Sequence, residues 1–376
     1  MFDDFRTKLP DNTSIVSRPP VVVCTGFHRS GTSLFAQLLH KAGVCMGQRL
    51  MQPAFSNPDG HFEDLPVVSL HDQLLAQAGT DWRFHDEVCL PDASSATPRM
   101  ESYVGQRDSH DAGAWGFKDP RASLFLEDWA RTLGDRGHFL LAIRHWAESL
   151  QSLLQRHSQT LAYLASNAYG SDGTRVDLSM WSCPDLLPGM WLAYSGRLLQ
   201  FALSNTHKVL MVPYAAVTAG LPLHEIVNKE WQLGLKPDTP GIVKKDLRHQ
   251  HVSVSVRSLV SPLLASQMDR MWARLEAASV TDARQFGIDS DPVWAEDRQP
   301  VVPVPIPGAI RQRLDNEHLP TLMTSWLSQV DSREHAQDLR ARLIWHWLKI
   351  YSHDELKSTI ESNGSSGELP PSEQLS

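Results

Sequence analysis

One stretch constrains this chain more than any other. Pro20-Val21-Val22-Val23-Cys24-Thr25 is broken by Gly26, and a second glycine, Gly31, precedes a helical apolar spacing over Ser33–Ala42. An unbroken β-branched run without polar alternation reads as a strand buried on both faces, the habit of parallel strands. The following segment SLFAQLLHKA stops at Gly43, a plausible C-cap. A glycine-containing loop between a buried strand and a helix turns the helix's first amides toward an anion. Two more apolar runs follow, His138–Arg144 (HFLLAIR) and Lys208–Tyr214 (KVLMVPY). Helices are expected over Leu65–Ala78 and Ala122–Leu133, from near Ala147, and over 187–204. Strands alternating with helices predict an α/β fold, a parallel sheet covered on both faces with ligands at the strands' carboxyl ends. Arg29, Arg144 and Tyr214 stand at or just past such ends.

The sequence has 376 residues, 41% hydrophobic and 21% charged, with a formal charge of -8. No basic domain supplies phosphate neutralisation, so nucleic acid is not an expected partner. Cys24, Cys45, Cys89 and Cys183 lack CxxC or CxxH spacing and suggest neither zinc nor a disulfide framework. The N-terminus shows no signal-peptide pattern, and no window approaches a membrane span. The expectation is a soluble cytoplasmic protein. Residues 1–19 read as a flexible arm and 20–253 as the core. Residues 254–361 read as a mostly helical region with a Pro-rich linker near 299–308, and 362–376 as a disordered tail. Residues 80–114 and 168–190 read as long polar loops.

The loop keeps the spacing of the Walker pattern GxxxxGK[ST], but Thr32 occupies the lysine position and the cation has moved inside, to Arg29. ATP phosphoryl transfer is thereby disfavoured, and no Asp-rich metal site is visible. Gly26-Phe27-His28-Arg29-Ser30-Gly31-Thr32-Ser33 resembles the 5′-phosphosulfate loop of the sulfotransferases that use 3′-phosphoadenosine 5′-phosphosulfate. A second element, Arg144 at a strand end with Ser152 eight residues later, is similar to that family's 3′-phosphate motif. Trp146 stands where the family usually has proline, and Ser149 competes for the serine role. Asn57-Pro58-Asp59-Gly60-His61-Phe62-Glu63 is similar to a segment of bacterial carbohydrate-type and small-molecule sulfotransferases. Trp115-Gly116-Phe117-Lys118-Asp119-Pro120-Arg121 resembles the family's KDPR segment. Weaker echoes are Trp191–Leu199 with Tyr194, and Asp246-Leu247-Arg248-His249. The resemblance spans about residues 20–250, with the motifs in the family's order.

The resemblance implies a P-loop-NTPase-like parallel sheet flanked by helices, with 3′-phosphoadenosine 5′-phosphosulfate as co-substrate and no metal. His28, Arg29, Ser30, Gly31, Thr32 and Ser33, with Arg144 and Ser152, would hold the donor. Glu63 would be the general base, with His61 the runner-up, and Arg29 would stabilise the leaving oxygen. Lys118 and Arg121 are candidates for orienting the sulfuryl group, the acceptor or Glu63, and Trp82 for lining the acceptor pocket. The acceptor expected is a hydroxyl of a small molecule or carbohydrate. Residues 254–361 are read as a cover for the cleft, a homodimer surface, or both. Two rival readings are a P-loop small-molecule or nucleoside kinase, and a non-catalytic binding protein on the same fold.

Overall fold

The computed structural model describes residues 18–52, 60–85, 90, 93–111, 113–166, 180, 185–237, 241–243, 252–253, 256–257, 259–280 and 292–295. Strand β1 (Val21–Gly26) runs inside a four-stranded parallel sheet of order β2-β1-β3-β4. The others are β2 (Trp115–Lys118), β3 (Gly137–Ile143) and β4 (Val209–Pro213). Val21 lies opposite Trp115 on one side and Gly137 on the other. Every residue of β1 is buried because successive side chains enter two different cores. Val22 and Cys24 pack with α1 (Thr32–Ala42), α7 (Tyr214–Thr218) and α8 (Leu223–Trp231). Val21 and Val23 pack with α2 (Leu65–Gln77), α3 (Ala93–His110), α4 (Leu126–Leu133), α5 (Trp146–Ser166) and α6 (Leu186–Ser204). That double covering is why the strand sequences are continuously apolar, and the α/β parallel-sheet expectation holds.

The chain leaves β1 toward β2 and leaves β3 toward β4, on opposite sides of the sheet. The crevice between the carboxyl ends of β1 and β3 is therefore the topological switch point, where such folds bind ligands. Residues 27–31 and Arg144 emerge there.

Several expectations are corrected. Residues 80–114 are not one long loop, since α3 occupies Ala93–His110 in spite of Pro98 within it. Ala96, Met100, Tyr103, Val104 and Arg107 give α3 one buried face that outweighs its polar composition. Arg107 is the anchor. Its buried guanidinium donates to the Gly116 carbonyl at 3.0 Å and the Cys45 carbonyl at 2.7 Å. It also pairs with Asp111 at 2.7 Å and lies 4.6 Å from the Trp115 ring centre. The helix expected over Ala122–Leu133 is two pieces, a 3₁₀ turn Pro120–Leu124 and α4. Trp115–Lys118, not expected as a strand, is β2. Helix α9 (Pro262–Ala278) buries Ala265, Met268, Trp272 and Leu275 in the same core as Val21 and Val23. A two-residue pairing of β5 (Val252–Ser253) with β6 (Trp294–Ala295) completes the described elements. The arm to residue 17, Asn57-Pro58-Asp59, Asp246–His249, the Pro-rich linker, the helical expectation over 308–361 and the tail lie outside the described residues.

Candidate active site

The loop after β1 closes on itself, with the Ser30 amide donating to the Phe27 carbonyl at 3.1 Å. Closing it requires a left-handed backbone at Arg29 (φ 63) and Gly31 (φ 86). Gly31 has a second reason to be glycine, because a Cβ there would collide with the Tyr214 ring. It is also the N-cap of α1 and offers no side-chain acceptor, so it leaves the first-turn amides of the helix uncapped. The Ser30 hydroxyl is buried without a hydrogen-bond partner.

The two elements that are distant in sequence meet at this loop. Arg29 Nε donates to Ser152 Oγ at 2.9 Å. Arg144 Nη1 donates to the Arg29 carbonyl at 3.0 Å, and its Nε to Glu148 Oε2 at 3.1 Å. Its guanidinium lies 4.6 Å from the centre of the Tyr214 ring. Ser149 is fully buried with no partner for its hydroxyl. Of the two candidate serines, Ser152 is therefore the one turned to the loop.

His61, Phe62 and Glu63 form the facing wall. Phe62 has φ 54, which a bulky side chain adopts only under strain. That kink lets the His61 carbonyl accept from Ser33 Oγ at 3.1 Å and from Lys118 Nζ at 3.1 Å. Lys118, at the end of β2, also donates to Glu63 Oε1 at 2.5 Å. The other carboxylate oxygen of Glu63 lies 3.9 Å from Arg121 Nη1. Arg29 and Phe62 are two of the three non-glycine residues with positive φ among the described residues, and both border this crevice.

The electrostatics separate the two candidate bases. Burial, then the charges of Arg156, Lys118, Arg29 and Arg121, lower the pKa of His61 to about 3, and its Nε2 is buried without a hydrogen-bond partner. An imidazole so reluctant to take a proton is a poor base at neutral pH. Burial and the Arg121 charge likewise hold His28 well below the ordinary imidazole value. Its ring sits 4.8 Å from Trp82, and its Nε2 is 3.3 Å from the Tyr194 hydroxyl, which itself donates to the Trp82 carbonyl. Trp82 also stacks on His157, 6.0 Å away. Trp82 thus packs on His28 of the loop as well as on α5.

The structure brings together His28, Arg29, Ser30, Gly31, Thr32, Ser33, Arg144 and Ser152 on one side, and His61, Glu63, Lys118 and Arg121 on the other. Sequence reasoning missed Tyr214 as the partner of Gly31 and Arg144. It also missed Glu148 and Arg156, which repeat Arg144 and Ser152 one helical turn later. That i,i+4 spacing was a readable signal; for Tyr214 the strand-end position was readable, but its contacts with Gly31 and Arg144 were not. Among the described residues, no group of three or more His, Cys, Asp or Glu could hold a metal ion.

No protein-family model matches the sequence, and no curated protein matches it significantly. Among solved structures, one that matches is the sulfotransferase domain of the Synechococcus PCC 7002 olefin synthase. It is 14% identical with a TM-score of 0.34, over 72% of this chain and 95% of that one. The functional reading therefore rests on the residues of the site itself.

Proposed function

We propose that this chain is a sulfotransferase that moves a sulfuryl group from 3′-phosphoadenosine 5′-phosphosulfate to a hydroxyl of a small molecule or carbohydrate. The carrying observation is the contact of Arg29 with Ser152 and of Arg144 with the Arg29 carbonyl. A loop with an internal arginine and no Walker lysine is thereby joined to a second arginine–serine pair. Two phosphate groups, on the 3′ and 5′ oxygens of one ribose, need two such grips, and an arginine fork suits each. The site fits such a donor, given the unpartnered Ser30 hydroxyl and the uncapped α1 amides. The donor supplies the activated sulfuryl group and a phosphate leaving group.

The roles follow from what each residue can donate or accept. Thr32, Ser33 and the first-turn amides hold the 5′-phosphate, and Arg144 with Ser152 the 3′-phosphate. Arg29 meets the negative charge that grows on the leaving oxygen. Glu63 takes the acceptor's proton on the oxygen not bonded to Lys118, and Lys118 orients that carboxylate. In this reading residues 20–253 form the transferase core, and α9 from the 254–361 region packs into that core.

The test is calorimetric titration with adenosine 3′,5′-bisphosphate and, separately, with Mg-ATP, followed by a screen of hydroxyl acceptors with sulfur-labelled donor. Tight bisphosphate binding with label transfer supports the reading. Binding of Mg-ATP alone would move the chain to the kinases.

A further inference from the structure

Beneath the site lies a buried histidine that the proposed chemistry does not use. His71, on α2, is fully buried and stacks parallel to Phe125 with ring centres 5.3 Å apart. Trp129 Nε1 donates to its Nε2 at 2.9 Å. An indole N–H can only donate, so Nε2 must carry the lone pair and the ring proton must sit on Nδ1. That Nδ1–H points at Asp119 Oδ2, 2.7 Å away. The other oxygen of Asp119 accepts from the Arg121 amide at 2.9 Å and lies 3.3 Å from Arg121 Nη1. Burial pushes the Asp119 carboxyl up, but the Arg121 charge and these hydrogen bonds hold it well below the usual range. Arg121 also has its Nε 2.8 Å from Asp72, the residue after His71 on α2. Its Nη1 then reaches toward Glu63 at 3.9 Å.

From this chain of contacts we infer that His71 is a positioning residue. Locked by Trp129 into the Nδ1–H tautomer, it fixes the Asp119 carboxylate so that Arg121 is presented beside Glu63. The inference rests on the transfer reading above. A carboxylate with both oxygens committed has one orientation, and an arginine held by Asp119 and Asp72 has little freedom left. Without the His71 proton, Oδ2 of the fully buried carboxylate loses its closest donor and keeps only Arg121 Nη1, at 3.4 Å. Asp119 would then rotate toward Arg121 and pull it away from the reacting groups.

Three variants and one spectrum test this. His71→Phe keeps the ring that stacks on Phe125 and removes the donor, whereas His71→Asn places an amide N–H near the lost Nδ1–H. Expected for His71→Phe is a kcat lower by about 10- to 100-fold with KM for donor and acceptor nearly unchanged, the signature of lost orientation. His71→Asn should recover most of that loss. Nitrogen NMR of the wild type should show His71 as the Nδ1–H tautomer. In Trp129→Phe, which frees Nε2, the kcat that remains should be proportional to the Nδ1–H fraction that remains. Wild-type turnover in a folded His71→Phe, or a wild-type spectrum of the Nε2–H tautomer, overturns the inference while leaving the transfer reading intact. If His71→Phe does not fold, the Trp129→Phe comparison decides, and a kcat indifferent to the tautomer overturns it. A wild type that neither binds adenosine 3′,5′-bisphosphate nor transfers label overturns the transfer reading, and this inference with it.

Discussion

Replacing Gly31 with alanine tests the loop geometry most directly. The backbone there has φ 86 and ψ 12, a left-handed conformation that costs a side-chain-bearing residue about 1–2 kcal/mol. The added Cβ would overlap Tyr214, standing only 2.7 Å from its Cε2. Tyr214 is itself buried, so relief means displacing a packed ring, at about 1–3 kcal/mol. Together these predict a loss of about 2–5 kcal/mol, which lowers the melting temperature by roughly 5–15 °C. The functional consequence is separate. Tyr214 underlies the Arg144 guanidinium at 4.6 Å, so a shifted ring shifts the arginine. Losing one charge-assisted bond to a phosphate costs about 1.5–3 kcal/mol, or about 10- to 100-fold in affinity for adenosine 3′,5′-bisphosphate. Gly43→Ala is the control. It has φ 115, but nothing lies within 4 Å of the new Cβ, so it carries the conformational cost without the collision. Differential scanning calorimetry and titration of both variants check the argument. Wild-type affinity in Gly31→Ala, or an equal affinity loss in Gly43→Ala, would refute it.

Other outcomes are expected. Glu63→Gln should lose transfer by about 10³-fold or more while still binding the bisphosphate, whereas His61→Asn should lose far less, as steady-state kinetics would show. Lys118→Met should destabilise the fold by about 3 kcal/mol or more, because it leaves the buried Glu63 without its closest cation; urea titration measures this. The pKa values of His61 and His145 are lowered to about 3, chiefly by burial, while an unfolded histidine titrates near 6.5. Below pH 6.5 the unfolded chain therefore binds protons that the native state refuses, and stability falls as pH drops from 6.5 toward 3. Each such group contributes a slope of up to about 1.4 kcal/mol per pH unit. His61→Gln should flatten that slope between pH 6.5 and 5, and an unchanged slope in urea titrations counts against the assignment. Ser152→Ala should weaken bisphosphate binding about 3- to 10-fold, since Arg29 loses the acceptor of its Nε–H.

How much was legible in the sequence follows from the range of the forces involved. Val21–Gly26 declared itself a buried strand because a strand covered on both faces needs an apolar residue at every position. The helix after the loop declared itself by spacing and by Gly43. Arg144 and Ser152 were readable as a pair through their resemblance to the family's strand-end arginine and later serine, a spacing of about two helical turns. Helix α3 was not legible. Its Ser, Asp and Pro98 favour a loop locally, and only the burial of Tyr103 and Arg107 against β2 makes it helical. Strand β2 is short and ends in the charged Lys118, so its pattern said little until β1 paired with it.

The sequence by itself determined the strand–loop–helix unit, the displaced cation at Arg29 and the order of the motifs, all set by local spacing and residue type. Only the tertiary structure decided which side chains share the crevice. It turned Ser152 rather than Ser149 toward the loop, set Tyr214 against Gly31, and buried His61 among cations. It also linked Trp129, His71, Asp119 and Arg121 into one chain beneath Glu63. Those contacts join residues up to 183 positions apart, as between Gly31 and Tyr214. Hydrogen-bond geometry and desolvation act through space, and no local pattern records which distant segment will supply the partner.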